Sequence, residues 1–321
     1  MAVYTDISDE ELNRFLEQYD LGQLLSFAGI AEGVENSNFL LRTEKNHYIL
    51  TLYEKRVDQD ELPFFIGLMQ HLADAGLNCP LPIPTNTGDT LSVCAGRPAA
   101  IVSFLNGTSA RYPNTQKCHA LGVALAQLHQ KAKGMTLRRQ NSLGPQDWAP
   151  LLESIDRDAV DLPQNLREEA AKILPKIVSA WPTDLPSGII HADLFPNNVL
   201  FVGDELTGLI DFYFACSDLL AYDLAICLNS WCFEADGSFN ITKSSAMISG
   251  YQSVRQLSEA ELEALPILSS GAAMRFFLTR FYDWINTPAD AFVKPLNPME
   301  YWAKLRFHRN AKSASAYGVG L

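Results

Sequence analysis

The sequence contains no uncharged apolar run approaching the ~18 residues that a membrane-spanning helix needs, so no such span is expected. Basic residues are scarce: 25 Lys and Arg stand against 37 Asp and Glu, for a net charge of −12. The imbalance is concentrated in residues 1–107, which hold 6 of the former and 15 of the latter. Such a surface argues against nucleic acid and anionic membranes as partners. It leaves room for a phosphorylated ligand held by backbone N–H groups and a metal. The six cysteines include no CxxC pair, and Cys227 and Cys232 fall in an apolar run. They read as buried thiols of a reducing compartment and argue against a disulfide framework or zinc site. Internal repeats and low-complexity tracts are missing as well. The acidic start, MAVYTDISDEELNRFLEQY, resembles neither a signal nor a transit peptide, so the expected location is the cytoplasm. What remains is an ordinary globular composition, 47% hydrophobic and 19% charged. At 321 residues the chain suits two domains or one two-lobed domain.

Hydrophobic periodicity divides the chain in two. Ser8 and Glu11 form a capping-box pattern ahead of a helix over 8–21. Strands are expected at Leu24–Ala28, Ser37–Arg42 and His47–Tyr53, then a helix over 59–75 stopped by Gly76. LSVCAG and RPAAIVSFL read as two further strands. The polar, turn-rich stretch NGTSARYPNT (106–115) is the boundary candidate. Beyond it the pattern is helical at 116–132, 164–180, 217–234 and 259–286, and a hairpin after 188 is the clear β element. The expected fold class is α+β: a β-rich lobe over 1–105, a hinge near 102–107, and a mainly helical lobe over 106–321.

The segment HADLFPNNVL (191–200) sets His191, Asp193, Asn197 and Asn198 between two apolar stretches. Val199–Val202 and Thr207–Ile210, separated by GDEL, form a hairpin with a four-residue loop. Pairing 202 with 207 puts Asn198 opposite Asp211. An amide oxygen and a carboxylate at the open end of a hairpin are hard ligands suited to Mg²⁺. Asp193 lies in the loop entering that hairpin, and His191 reads as a structural brace. Taken singly, these residues cap turns; together they describe a phosphoryl-transfer site.

That set resembles the catalytic loop and metal-binding Asp of the aminoglycoside phosphotransferase and choline kinase superfamily, small-molecule relatives of protein kinases. GVENSNF, HYILTLYE, LPFFIGLMQHLADAGLNCPLPIP and NSWCF are further similar to the homoserine kinase family within it. The resemblance implies a two-lobed protein-kinase-like fold with ATP and Mg²⁺ as cofactors. It also implies L-homoserine as substrate, phosphorylated on its hydroxyl in threonine biosynthesis. Asp193 becomes the catalytic base and substrate contact, and Asn198 and Asp211 the metal ligands. In GVENSNF, Gly33 allows the turn and backbone N–H groups near Asn36, Ser37 and Asn38 meet phosphate. The backbone of Ser103 and Leu105 would pair with adenine. The sequence departs from the superfamily on the third strand, where Thr51 stands in the place of a phosphate-pairing Lys or Arg. Glu61, the helical partner of that cation, is in doubt with it; Arg42, Lys55 and Arg56 are the substitutes at hand. Tyr213, Asp218, Asn229, Trp231, Arg275, Arg280 and Tyr282 are candidates for the substrate pocket. Arg280, stacked on Trp284, is favoured as the carboxylate contact. An aminoglycoside or choline-type kinase is the alternative within the fold, and a nucleotide-binding pseudokinase the alternative outside catalysis.

Overall fold

The computed structural model describes residues 5–30, 36–54, 58–155, 159, 161–288 and 294–320. Gly33, Lys55 and Arg56 lie outside them.

The capping box forms as read. The Ser8 hydroxyl accepts from the Glu11 N–H at 3.3 Å, the Glu11 carboxylate accepts from the Ser8 N–H at 3.2 Å, and helix α1 (Asp9–Leu16) opens there. It ends earlier than its periodicity suggests. The carbonyls of Glu17 and Gln18 are taken by the side-chain amide and backbone N–H of Asn86, at 3.2 and 2.7 Å. Strands β1 (Leu24–Ile30), β2 (Ser37–Thr43) and β3 (His47–Leu52) follow. Helix α2 (Leu62–Asp74) comes next, and then β4 (Ser92–Cys94) and β5 (Arg97–Ser103). The strands make one antiparallel sheet in the order β1-β2-β3-β5-β4. Burial alternates along β2, as a half-buried strand requires. Phe39, Leu41, Leu50, Leu52 and Ile101 of the sheet close over Leu12, Phe15 and Leu16 of α1. These elements belong to one compact unit, Met1–Asn106 with Met135–Leu137.

The second unit comprises Gly107–Gly134 and Arg138–Leu321. Its strands are β6 (Thr108–Ser109), β7 (Ser187–Ile190), β8 (Val199–Val202), β9 (Glu205–Leu209) and β10 (Cys216–Leu219). Interleaved with them are α3 (Thr115–Lys131), α4 (Pro145–Ser154), α5 (Leu166–Ser179) and α6 (Leu220–Trp231). Helices α7 (Ile241–Gln252), α8 (Glu259–Asn286) and α9 (Met299–Asn310) complete it. The helical pattern expected from 217 starts instead as β10, which pairs antiparallel with β7, and turns helical only at Leu220. A four-residue strand is too short for periodicity to distinguish from a helix start.

Helix α6 is the centre post of this unit. Leu224, Ile226 and Leu228 are fully buried, and such side chains contribute roughly 1.5–3 kcal/mol each on leaving water. Its polar interior groups, Asp223 and Asn229, are therefore committed to specific partners. Helices α3 and α7 touch backbone to backbone. A Cβ on Gly122 would stand 2.0 Å from the Met247 carbonyl oxygen, and one on Gly250 2.2 Å from that of His119, so only glycine fits at either place.

Candidate active site

Strand β7 delivers residues 191–198, and the loop they form is fixed from several directions. Asp223, in the first turn of α6, accepts from the backbone N–H groups of His191 at 2.7 Å and Ala192 at 2.9 Å, with His129 Nε2 against the same carboxylate at 3.1 Å. Burial pushes the Asp223 carboxyl up. The hydrogen bond and charge of His129 and the hydrogen bond from the His191 backbone N–H outweigh that and leave it below the usual carboxylate range. Ala192 holds a φ of +63°, a left-handed conformation that alanine adopts only under constraint. Its carbonyl accepts from the guanidinium of Arg275 at 2.8 Å. Two residues on, the Leu194 carbonyl accepts from Trp231 Nε1 at 2.7 Å. The His191 ring is fully buried, and burial pushes its pKa down to about 4. The neutral ring donates from Nε2 to the Ile210 carbonyl at 3.0 Å, tying the loop to the end of β9. His191 is thus the brace its sequence context suggested.

The loop then turns through a 3-10 segment, Pro196–Asn198, into β8. Asn198 is buried, and its Nδ2 donates to the Asp193 carbonyl at 2.8 Å and to the Asp193 carboxylate at 3.0 Å. Asp193 itself is half-buried. The hairpin register differs from the expected one. Val202 pairs with Glu205 across a two-residue turn whose Gly203 has φ +63°, and a bulge at Thr207 restores Val199 to Leu209. Asn198 is consequently bonded through its carbonyl to the Ile210 N–H at 3.0 Å, and Asp211 falls one residue beyond it. Asp211 takes a left-handed φ of +66° that swings it out of the strand. It stays accessible to solvent while hemmed in by protein. That partial desolvation pushes its carboxyl up to about 6, against a hydrogen bond from the Tyr213 N–H. Asn198 spends its amide hydrogens on Asp193 and keeps Oδ1, and Asp211 brings a reachable carboxylate. One amide oxygen and one carboxylate suit Mg²⁺, which completes its shell with water and phosphate oxygens.

In the first unit the nucleotide candidates are engaged with one another. Asn38 pairs with Thr51 across β2 and β3, and the Thr51 hydroxyl donates to Asn38 Oδ1 at 2.8 Å. The Ser37 hydroxyl donates to Glu54 at 2.7 Å, and Asn36 Oδ1 accepts from the Glu54 N–H at 3.3 Å. Glu54 also pairs with Arg97 at 3.3 Å. Glu61 closes the 3-10 turn Gln59–Glu61 at the head of α2 and is half-exposed. Arg42 is exposed. The Ser103 N–H and hydroxyl both bond Leu81, each at 2.9 Å, and Leu105 lies half-buried in the connection after β5.

Several substrate candidates turn out to be framework. Arg275 is 2% exposed and serves the Ala192 carbonyl, with its guanidinium over the rings of Phe276 and Phe214. Asp218 accepts from Asn141 and from the Leu219 N–H. Asn229 is shared among Ala225, Ser269 and His308 inside the core. Tyr213 sits half-buried in a 3-10 turn after Asp211, and Tyr282 is exposed. Arg280 stacks on Tyr301, 4.5 Å from the ring centre, and not on Trp284, whose Nε1 is turned to Asp161. Its guanidinium pairs with Glu300 at 2.6 Å.

Trp231 lines a cavity of about 630 Å³ with Pro196, Ser230, Phe233, Lys243, Glu300 and Lys304 among its walls. Pro196 belongs to the 191–198 loop, and Trp231 and Ser230 both donate to Leu194 of that loop. The cavity therefore abuts the residues that carry Asp193. The sequence reading missed Lys304 and Glu300, because α9 has a weak apolar stripe and was not expected as a helix. Their i, i+4 spacing was the available signal.

Residues 26–257 match the phosphotransferase enzyme family, and the chain belongs to it. The whole length is similar to homoserine kinases. That of Agrobacterium fabrum (strain C58 / ATCC 33970) is 57% identical over 319 residues, covering 99% of each chain. That of Rhizobium meliloti (strain 1021) is 58% identical over 319 residues, covering 99% of this chain and 98% of its own. Among solved structures, a spectinomycin phosphotransferase, APH(9)-Ia, superposes with a TM-score of 0.68 at 13% identity, over 98% of this chain and 99% of that one. The choline kinase LicA from Streptococcus pneumoniae gives 0.61 at 15% identity, over 94% and 98%. At such identities the likeness is one of fold: the kinase-like α+β fold, with a β-sheet N-terminal region and a helical C-terminal region.

Proposed function

We propose that this chain transfers the γ-phosphoryl group of ATP to the side-chain hydroxyl of L-homoserine, giving O-phospho-L-homoserine and ADP, a step of threonine biosynthesis in the cytoplasm. None of the described helices is long and apolar enough to cross a membrane. The observation that carries the reading is the Asn198–Asp193 contact. One side chain orients the base at 3.0 Å while keeping an oxygen for a cation, so base and metal site are built as one piece.

Phosphoryl transfer asks for positioning and charge neutralisation more than covalent chemistry. Asp193 accepts the hydroxyl proton as the substrate oxygen bonds the γ-phosphorus. The bridging oxygen leaves with its electron pair on ADP. Asn198 Oδ1 and the Asp211 carboxylate would hold Mg²⁺, which neutralises phosphate charge when bound. Backbone N–H groups at Asn36, Ser37 and Asn38 are assigned to phosphate, and the backbone of Ser103 and Leu105 to adenine. Thr51 supports this through Asn38, whose amide oxygen its hydroxyl holds. Full-length likeness to homoserine kinases favours homoserine over choline or an aminoglycoside.

The test is direct. Purified protein with ATP, Mg²⁺ and L-homoserine, choline or an aminoglycoside in parallel is followed by ADP release, with the product identified by phosphorus NMR. Turnover confined to choline or the aminoglycoside would sink the homoserine reading, and ATP binding without turnover on any of them would favour a pseudokinase.

A further inference from the structure

The cavity beside the catalytic loop has an uneven charge balance on one wall. Lys304 Nζ lies 2.5 Å from Glu300, and Glu300 is also held by Arg280 at 2.6 Å. Two cations share one carboxylate, so the cluster carries one positive charge more than it neutralises. Both cations are withdrawn from water: the Lys304 side chain is 8% exposed and that of Arg280 11%. Tyr301 lies between them, with Lys304 4.3 Å and Arg280 4.5 Å from its ring centre. Lys304 also stands over Phe233, 5.4 Å away. An excess charge held against aromatic rings with little water is a site that an anion completes. Burial lowers the pKa of Lys304 even though Glu300 opposes the shift, which agrees with a cation short of counter-charge. The Tyr301 hydroxyl is buried behind that wall and meets no hydrogen-bond partner among the described residues.

The other cations of the cavity are placed differently. Lys243 is matched one to one by Glu234 at 2.7 Å. Arg111 is exposed and lies over Tyr112, where water solvates it. Lys304 shares the cavity with Pro196, Ser230 and Trp231, the residues that border the Asp193 loop. Burial is the main cause that raises the Tyr301 phenol pKa, and Tyr301 is close enough to that loop for the Asp193 charge to add to the rise.

We propose that the Lys304–Glu300–Arg280 cluster binds the α-carboxylate of the amino-acid substrate, with Lys304 as the direct contact and Arg280 as the second cation that keeps the cluster positive. This assignment rests on the homoserine reading of the same site. It makes Lys304 a specificity determinant: the hydroxyl goes to Asp193, and the carboxylate is what sets homoserine apart from other small alcohols.

The experiment compares kcat/KM for L-homoserine and for 3-aminopropan-1-ol, which is homoserine without its carboxylate. Wild type, Lys304→Met, Lys304→Arg and Arg280→Met are measured at saturating ATP, with KM for ATP and thermal midpoint recorded for each. Lys304→Met is expected to cut the homoserine value by roughly 10²-fold, the scale for truncating one partner of a buried charge pair. It should leave 3-aminopropan-1-ol and ATP within about two-fold, a split that general loosening of the fold does not produce. Lys304→Arg should recover part of the homoserine activity. Arg280→Met makes the cluster neutral and should lower the homoserine preference by about ten-fold. If Lys304→Met does not fold, the Arg280→Met and Lys304→Arg ratios decide the question. Equal losses on both alcohols, or an unchanged ratio in every variant that folds, overturn the carboxylate assignment while the homoserine function stands. A wild type that is inactive on homoserine overturns that function and this assignment with it.

Discussion

The loop 191–198 of the second unit and the Asn36–Thr51 region of the first are held by different physics. The loop is gripped by a buried carboxylate, a buried guanidinium, an indole and a neutral imidazole, each aimed at a named backbone atom of the loop or of the adjoining strand. The sheet region is held by short hydrogen bonds among Asn38, Thr51, Ser37 and Glu54, with one partly exposed ion pair to Arg97. Around the proposed base, backbone geometry is enforced by groups that are expensive to leave unpaired. In the region proposed to meet phosphate, neutral side chains shape the strands and no fixed cation is spent at Thr51.

Four changes probe that contrast, beginning with the largest. Asp193→Asn should lower kcat by 10²–10⁴-fold, the usual worth of a general base, while ATP affinity stays within a few-fold. Wild-type turnover in that variant would remove Asp193 from the chemistry. Asp223→Ala should destabilise the protein by about 3–5 kcal/mol, since it strands two backbone N–H groups and His129 in the core. Urea denaturation reads this, and a loss under 1 kcal/mol would mean that the loop holds itself.

His191 supplies a pH test. Its folded pKa of about 4 lies below its unfolded value, so the folded state favours the neutral ring. The stability it contributes is present above pH ~6.5 and is lost as pH falls toward 4, about 3 kcal/mol in all. Denaturation at pH 7 and pH 4.5 should show a smaller drop in His191→Asn than in wild type; equal drops would place the acid sensitivity elsewhere. The smallest effect belongs to the first unit. Thr51→Val removes one hydrogen bond, worth roughly 1 kcal/mol, and should leave KM for ATP within about three-fold. A ten-fold rise would make Thr51 a phosphate contact in its own right and erase the contrast.

Much of this arrangement is legible in residue order because side-chain chemistry is local. Ser8 with Glu11, the alternation in β2 and the close spacing of His191, Asp193 and Asn198 each carry their meaning within ten residues. The hairpin register was not legible: a bulge costs one residue of pattern and leaves no composition mark. The fate of the α8 arginines was equally hidden. Arg275 and Arg280 are five apart on one helix, yet one serves the Ala192 carbonyl in the core and the other a carboxylate on α9. What separates them is supplied by segments 83 and 20 residues distant. Lys304 and Glu300 escaped first because the weak apolar stripe of α9 hid the helix, and then because their partner Arg280 lies on another helix.

The bulge at Thr207 also governs how this hairpin tolerates changes of length. Residues added at the Gly203–Asp204 tip extend a solvent-facing turn and leave everything beyond β9 in phase. Deleting Thr207 would remove the bulge and leave Gly208 opposite Leu200 and Ile210 on Asn198, whereas one residue added after Gly208 would bring Leu209 where Ile210 now bonds Asn198 and turn alternate side chains to the opposite face. A library of insertions and deletions across 199–211 would therefore be permissive at the tip and to loss of Thr207, and intolerant of residues added between Gly208 and Asp211.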